Sequence, residues 1–542
     1  MDYPSAAIQL AAVFVGSLGL AILFSRFLAR MVSSEKVLVS KRLAKVEQFV
    51  FRLFSVDQNR QMGWREYTVA LLVTNAIVAI FVAVILGIQG YLPFSPPGLG
   101  NLSPDLIFNT ASSFITNTDL QHYAGELQLS VFSQMVAITF VMFVAPATAI
   151  AASFAFIRSF LRRSSTIGNF YVDFLRSALF LLLPVAIVSA ILLIAGGVPQ
   201  TLAYSETFRT ITGTNQTIPI GPVGSLESIK EFGNNGGGFF AANSAYPFEN
   251  PTGFTNTFET ILMLSLPLSF PLAYGKLIGR GRGLTLLIAM LAGLGFMFAL
   301  ALAVPSFPAG LEERFGSTGS ILFNVVSIAT NTGAVNSALT GMSDHTVVAL
   351  FLAMFVQSIP GADGVGLMLM IVYVILTLFI VGLMVGKTPE FLSMKISPSD
   401  IKKAVYVFLV HPALILFPTV IAFTTGNAQK IVGNNITPQS YTQILYEFTS
   451  AAANNGSDYL GTLANTPFWN ISTGIVMLLG RYLPLVLMLA LAGSFTLKER
   501  KVAGGEPIKT EGVTFTIVLV IMIFLLTALT FFPFLVIGPF SS

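Results

Sequence analysis

The sequence lacks cysteine altogether, has three histidines, and is poor in charge, with 10% of its 542 residues being Asp, Glu, Lys or Arg. Without cysteine there is no disulfide framework, no thiolate metal site and no cysteine nucleophile. His122, His345 and His411 are spread too widely for metal-ligand spacing and are expected in loops or at helix ends. A soluble globular chain carries about a quarter charged residues, so the scarcity here excludes that class. What fills the sequence instead is 54% hydrophobic residues at a mean hydropathy of +0.78. A bilayer core needs roughly 20 apolar residues per helical span, and the length accommodates many such spans. The chain reads as an all-α polytopic membrane protein.

Apolar runs predict ten spans: 6–31, 66–88, 130–157, 173–198, 255–275, 284–304, 346–386, 404–424, 468–493 and 513–537. Only Asp2 precedes the first span, while Lys36, Lys41, Arg42 and Lys45 follow it, the reverse of a cleavable signal peptide. With the N terminus outside, the inside loops carry 21 of the 29 Lys and Arg residues against eight carboxylates. The outside segments carry four against thirteen, so the two faces are +13 and −9, as the positive-inside rule requires. Both termini are then outside. The basic face fits topology or anionic lipid and has no aromatic platform for nucleic acid.

The seventh run is too long for one straight helix, since 41 residues at 1.5 Å rise would be about 60 Å. Pro360 with Gly361, Gly364 and Gly366 marks a break, expected inside protein or beside water because exposed irregular backbone is not tolerated in lipid. This segment, including Asp363, is read as a gate.

The outside segments before spans three, five, seven and nine repeat one design. A stretch too short to cross (108–115, 226–233, 321–329 and 444–453) is followed by a polar run. The runs are Thr116-Asn117-Thr118-Asp119, Asn234-Asn235-Gly236-Gly237-Gly238, Thr330-Asn331-Thr332-Gly333 and Asn454-Asn455-Gly456-Ser457. One such loop is an ordinary exterior turn, but four in equivalent places are a repeat. A half-helix dipping into the membrane points its partial negative end inward, and the backbone beyond it can turn carbonyls to a common axis. Four such segments form a cation filter. Uncharged Asn and Thr oxygens suit a large monovalent ion, K⁺ before Na⁺, better than Mg²⁺ or Ca²⁺.

At these loops the sequence resembles the potassium-binding A subunits of the Kdp potassium-transporting ATPase, in the potassium transporter superfamily. The matching stretches are Ile115 to Thr118 with Gln121, Gly233 to Ser244 followed by Pro247 to Thr252, Thr332 to Asn336, Ala453 to Ser457, and Gly386 to Glu390. The resemblance implies four pore repeats as in potassium channels, at 66–157, 173–275, 284–386 and 404–493. They lie within one membrane domain that begins with a span and basic loop (1–65) and ends with a last span (513–542). It implies K⁺ as the only bound ion, no organic cofactor, and a bacterial inner-membrane pump in which a separate P-type subunit hydrolyses ATP and two small subunits complete the complex. Carried over by position, the ligands are Asn117, Thr118, Asn234, Asn235, Gly236, Asn331, Thr332, Gly333, Asn454, Asn455 and Gly456, with Asp119, Gly237, Gln121, Asn243 and Asn336 beside them. Asp119, Asn234 and Asn331 depart from the family's pattern. Asp119 is either a carboxylate at the mouth or a solvated turn residue.

Gly382 to Thr388 ends in Gly-Lys-Thr but lacks phosphate-loop spacing and a preceding strand, so it reads as a helix end with a basic anchor. No Asp-Lys-Thr-Gly loop is present, and any ATP hydrolysis belongs to another polypeptide. Arg481, near mid-depth of the ninth span, is either an electrostatic stop beneath the filter or a structural partner of a carboxylate such as Asp363. Aromatic residues at span ends are expected as interfacial anchors, and Phe and Leu stripes as packing faces. A passive or ion-coupled K⁺ transporter of the same fold is the rival function. An autonomous enzyme lacks a nucleophile, base or cofactor motif.

Overall fold

The computed structural model describes residues 3–33, 41–161, 164–303, 314–499 and 508–538. Asp2 and Lys36, used above to orient the first span, lie outside the described residues. The described residues are mostly helical, and ten of their helices are long and apolar enough to cross a membrane.

Those ten fall at Ala6–Ser33, Trp64–Gly87, Val131–Leu161, Phe170–Ala195, Gly253–Ile278, Arg280–Ala301, Val365–Met384, Pro398–Thr424, Pro467–Thr496 and Val513–Phe531, and are called the first to tenth spans below. Their boundaries follow local chemistry. Thr252 and Ser397 form capping boxes with Thr255 and Asp400 at the starts of the fifth and eighth spans, satisfying the first unpaired backbone donors. Pro398 and Pro467 occupy the first turns, where their missing N–H costs nothing. The seventh apolar run is divided into Asp344–Val356 and Val365–Met384, with Gln357 and Gly364 in the left-handed conformation at the two ends of the gap.

The third, fifth, seventh and ninth spans are largely buried within the chain, whereas the first, second, fourth, eighth and tenth present most of their surface outward. Chain-buried helices therefore form an inner ring, and the others make a lipid-facing belt. Between them, four short helices enter from one side: Pro104–Ile115, Val223–Phe232, Gly316–Ala329 and Pro438–Ala453, called the first to fourth pore helices. Each is fixed by a buried polar residue about one and a half turns before its C-terminal end. Asn109 bonds Thr473, Glu227 bonds Lys230, Asn324 bonds Asn336, and Glu447 lies 3.1 Å from His122.

Several elements have no clear sequence signal. An exposed hairpin pairs Ser205–Arg209 with Asn215–Pro219. An amphipathic helix covers Lys41–Leu53, and π-helical turns interrupt the third and fourth spans at Gln134–Thr139 and Ser177–Leu182. Two expectations need correction. Trp469 is not an interfacial anchor: it is 1% exposed and stacks on Phe448 of the fourth pore helix, 5.2 Å between ring centroids. His411 is neither in a loop nor at a helix end; it is buried in the middle of the eighth span. His122 does lie in a loop but is fully buried, 2.7 Å from Asn470 Oδ1.

One ion pair ties four spans together. Arg158 grips Asp173 with two hydrogen bonds of 2.6 and 2.7 Å, and its Nε and Nη2 donate to the carbonyls of Val32 and Met31 at 2.7 and 3.1 Å. Tyr67 donates to the same Asp173 carboxylate at 3.0 Å. Every oxygen and most donors are used, which is the condition under which a buried pair repays its desolvation. Removing one member strands the other. Asp173→Ala is expected to destabilise the chain by about 3–5 kcal/mol, read as a fall in the apparent unfolding temperature of the detergent-solubilised protein. Arg158→Met combined with Asp173→Ala should recover part of that loss, and an unaltered unfolding temperature in the single variant would show that the pair is dispensable.

Candidate functional site

Each pore helix runs into the same backbone turn. Asn117, Asn234, Asn331 and Asn454 follow the helix ends with φ of 59°, 47°, 53° and 53°, a left-handed conformation that asparagine tolerates better than other residues with a Cβ. Two residues on, Asp119, Gly236, Gly333 and Gly456 again have positive φ, at 57°, 87°, 75° and 96°. The four loops therefore share the pattern Asn, Thr or Asn, then Gly or Asp, which turns the chain back on itself at the end of each half-helix.

The asparagine amides stitch neighbouring loops into a closed ring. Asn117 Nδ2 donates to the Asn234 carbonyl at 2.6 Å, and Asn234 Nδ2 donates to Thr332 Oγ1 at 2.9 Å. Asn331 Nδ2 donates to the Ala453 carbonyl at 3.1 Å, and Asn454 Nδ2 returns to Thr118 Oγ1 at 2.9 Å. Loops one and three thus bond to main chain, and loops two and four to hydroxyls. Those two hydroxyls also pair within their own loops, with Thr116 and Thr330 at 2.7 and 2.8 Å. Asn234 and Asn454 donate further to the carbonyls of Met263 and Met477, which anchors the ring to the fifth and ninth spans. Asn235 Nδ2 reaches the carbonyls of Ile229 and Met142 at 2.9 and 3.1 Å, and Asn455 Nδ2 that of Ile328 at 3.1 Å.

Glycine is required where the loops meet. A Cβ on Gly236 would overlap the Thr332 carbonyl oxygen and lie 3.4 Å from that of Asn455, so these two carbonyls converge on one small volume. On Gly333 and Gly456 it would overlap the carbonyl oxygens of Asn455 and Thr118. The first loop carries Asp119 in the corresponding place, which breaks the fourfold pattern at one position.

With the amide N–H groups spent on the ring, oxygens remain. Oδ1 of Asn117, Asn235 and Asn331 and both carboxylate oxygens of Asp119 are buried without a hydrogen-bond partner. Buried polar atoms in native proteins almost always have partners, so a set of orphaned acceptors around converging carbonyls is chemically matched to a cation. Asp119 is not a solvated turn residue: it is 0% exposed and lines a cavity of about 360 Å³ at the mouth, with Gln121, Gly237, Asn243, Gly333, Gly456 and Asp458 among its other walls. Gln121 is held there by bonds to the Gly238 carbonyl and Tyr123 at 3.0 and 3.1 Å. Asn336 is not brought to this cavity. It donates to Asn256 Oδ1 and accepts from Asn324, both at 2.8 Å, and so braces the third pore helix.

On the other side of the ring lies the interruption between Val356 and Val365. Gly361 N donates to the carbonyl of Ala329, at the end of the third pore helix, at 2.9 Å, and Asp363 N approaches Asn234 Oδ1 at 3.5 Å. Pro360 and Gly364 shape this turn, which packs directly against the second and third loops. Arg481 shares a cavity of about 20 Å³, room for about one water, with Asn331, Asn454, Gln357, Ala362 and His411. Arg481 Nη2 and both Asp363 oxygens have no hydrogen-bond partner, although the two charges act on one another. Of the two readings of Arg481, the hydrogen-bonded pair with Asp363 is not formed, and the two charges interact only through space.

Sequence reading passed over His411 in this lower cavity and the buried Glu227, Lys230, Glu231, Glu249 and Glu259 beside the second loop. A lone acid in an apolar span, as at Glu259, was the available signal for the second group.

The chain matches the family model described as "Potassium-transporting ATPase A subunit" over residues 11–542. It is 42% identical to the potassium-transporting ATPase potassium-binding subunit of Clostridium acetobutylicum, with 99% of each chain covered. It is 40% identical to the protein of the same name from Geobacillus kaustophilus, over 94% of each. Among solved structures it is similar to the potassium transporter TrkH of Vibrio parahaemolyticus, with a TM-score of 0.52 and 16% identity over 90% of this chain and 99% of that one, a likeness of fold.

Crowding the ring tests its chemistry. Gly236→Ala and Gly456→Ala should each weaken alkali-cation binding by at least about tenfold while the protein remains monodisperse, because the added carbon displaces a ring carbonyl. Calorimetric titration of purified protein with K⁺, Rb⁺ and Na⁺ reads this directly, and unchanged affinities in both variants would remove the loops from the ion path.

Proposed function

We propose, from the premise that this chain belongs to the potassium-transporting ATPase A subunit family, that it binds K⁺ at the four-loop ring and translocates it as the transport subunit of an ATP-driven uptake pump. The observation that carries this reading is the donor-poor ring itself: converging carbonyls and orphaned amide oxygens, closed by the four asparagines. Uncharged oxygens replace the hydration shell of a weakly hydrated monovalent ion, which a small divalent ion would not exchange for its water. Asp119 adds a carboxylate at the mouth, and the acidic outer face raises the local cation concentration before entry.

The ligands are Asn117, Thr118, Asn234, Asn235, Gly236, Asn331, Thr332, Gly333, Asn454, Asn455 and Gly456, with Asp119, Gln121, Gly237 and Asn243 forming the approach. Hydrolysis of ATP belongs to a separate P-type subunit, since this chain is the transport subunit and not the catalytic one. Two small membrane subunits complete the complex in a bacterial inner membrane, with this chain's termini outside and its basic loops inside beside anionic lipid. The repeats at 66–157, 173–275, 284–386 and 404–493 each supply one loop.

Below the ring, the Pro360 to Gly364 turn blocks a straight path, and Arg481 places a positive charge where a cation leaving the ring must pass. Repulsion between unit charges is strong where water is scarce. The ion is thereby held back from the inner solution and directed toward the ATP-driven partner.

Replacing Arg481 with Met keeps the apolar stem and removes the charge. In the reconstituted complex, passive K⁺ leak is expected to rise by about tenfold or more, and ATP hydrolysis should no longer track K⁺ uptake, with selectivity at the ring retained. Normal coupled uptake with no leak would contradict the electrostatic role. Purification without any ATP-hydrolysing partner, together with K⁺ flux through the lone chain, would favour a passive transporter.

A further inference from the structure

Behind the second loop lies a charged cluster that makes no part of the ring. Lys230 Nζ is 2.9 Å from Glu227, 2.8 Å from Glu249 and 3.4 Å from Glu231, and it donates to Ser244 Oγ at 2.7 Å. Ser244 Oγ donates in turn to Glu227 at 3.0 Å, and Glu249 Oε1 accepts from Phe240 N at 2.8 Å. The fifth span contributes Glu259, so that one oxygen each of Glu227, Glu231 and Glu259 lies within 4.8 Å of the others. All five ionisable side chains are 0% exposed.

The partners are unevenly shared. Glu227 and Glu249 take the short bonds from the ammonium, the serine hydroxyl and a backbone N–H, while Glu231 Oε1 lies 3.4 Å from both Lys230 Nζ and Ser244 Oγ. Glu231 Oε2 and both oxygens of Glu259 have no hydrogen-bond partner. The charges facing this pair are Glu227 and Lys230 on the same pore helix as Glu231, and Glu249 on the following loop. If all were ionised, the four carboxylates would exceed Lys230 by three charges. An uncompensated carboxylate away from water is strongly disfavoured. Burial pushes the carboxyl of Glu249 up to about 8 even with Lys230 against it. Glu231 shares the single Lys230 ammonium with Glu227 and Glu249, and Glu259 has no ion-pair partner at contact distance among the described residues, so Glu231 and Glu259 do not both ionise; one retains a proton and donates it to the other.

We propose that Glu231 and Glu259 form a proton-binding site, in which an O–H of one donates to the carboxylate of the other and brings the wall behind the second loop one charge nearer to neutral. The proton comes from the outer solution and returns to it, and no other bond changes. Glu231 stands three residues before Asn234, and the charge of Lys230 beside it already acts on Asp119 at the mouth, so this cluster lies within electrostatic reach of the ring. Releasing the proton adds a negative charge behind the ring and strengthens cation binding. The proton site stands on the geometry of the pair, whereas its effect on ions rests on the K⁺ reading above.

Two measurements on the purified complex separate these claims. Infrared difference spectra recorded across a pH titration should show in the parent a protonated carboxyl band, beside that of Glu249, that is lost in Glu259→Gln. K⁺ titration of the parent should give an affinity at mildly alkaline pH at least about threefold above that at mildly acid pH, with Glu259→Gln and Glu231→Gln both flat. If one variant fails to assemble, the other and the parent band still decide. A parent without that band, pH slopes retained in the variants, or a stoichiometric metal ion found by mass spectrometry and lost in Glu259→Gln would each overturn the proton site. A normal band in a parent that binds no K⁺ would instead refute the ion reading and leave the proton site standing.

Discussion

Irregular backbone cannot face lipid, and the rest of this structure answers that one constraint. A cation filter needs loops whose carbonyls are free, yet free carbonyls at membrane depth have to be enclosed by protein. The chain meets both demands with four half-helices whose ends are turned by left-handed asparagines. The same asparagines use their side-chain N–H groups to bind the next loop. The amides therefore close the ring and leave it rich in unpaired oxygen. The inner spans exist in this arrangement to bury the ring, and the outer ones to separate it from lipid.

The polar residues that hold the half-helices are as consequential as the ring. Asn109, Glu227, Asn324 and Glu447 sit at comparable heights on the four pore helices, but their partners differ: a threonine, a lysine cluster, an asparagine and a histidine. Fourfold geometry is thus supported by walls that are not fourfold. The ring inherits that inequality, with Asp119 in the place that glycine fills in the other loops and with Lys230 and its carboxylates behind one loop alone. An ion in such a ring experiences one side that is more strongly charged than the others.

Much of this was legible in the sequence because the membrane imposes strong periodic demands. Spans follow from apolar length, the break at Pro360 to Gly366 from excess length, and the loops from recurrence of Asn and Gly after runs too short to cross. The gap does fall there, between Val356 and Val365. What escaped depends on contacts between distant residues. Trp469 looked like an interfacial anchor because position along a span says nothing about which side faces the bundle, and Phe448 covers it. His411 looked solitary because the arginine that shares its cavity is 70 residues away. Asn336 was grouped with the filter by proximity in sequence, whereas its amide is committed to Asn256 on another helix. The Glu231 and Glu259 pair spans two elements and has no local signature.

The central claim is that a K⁺-sized ion rests among the carbonyls of Thr118, Asn235, Thr332 and Asn455. Anomalous scattering from the complex soaked with Tl⁺ or Rb⁺ locates such an ion without reference to transport or coupling. The account predicts a peak on the axis of the four loops, at the level of these carbonyls, that disappears when Na⁺ alone is supplied. An empty ring in a preparation that still takes up K⁺, with the heavy ion found elsewhere in the chain, would contradict it.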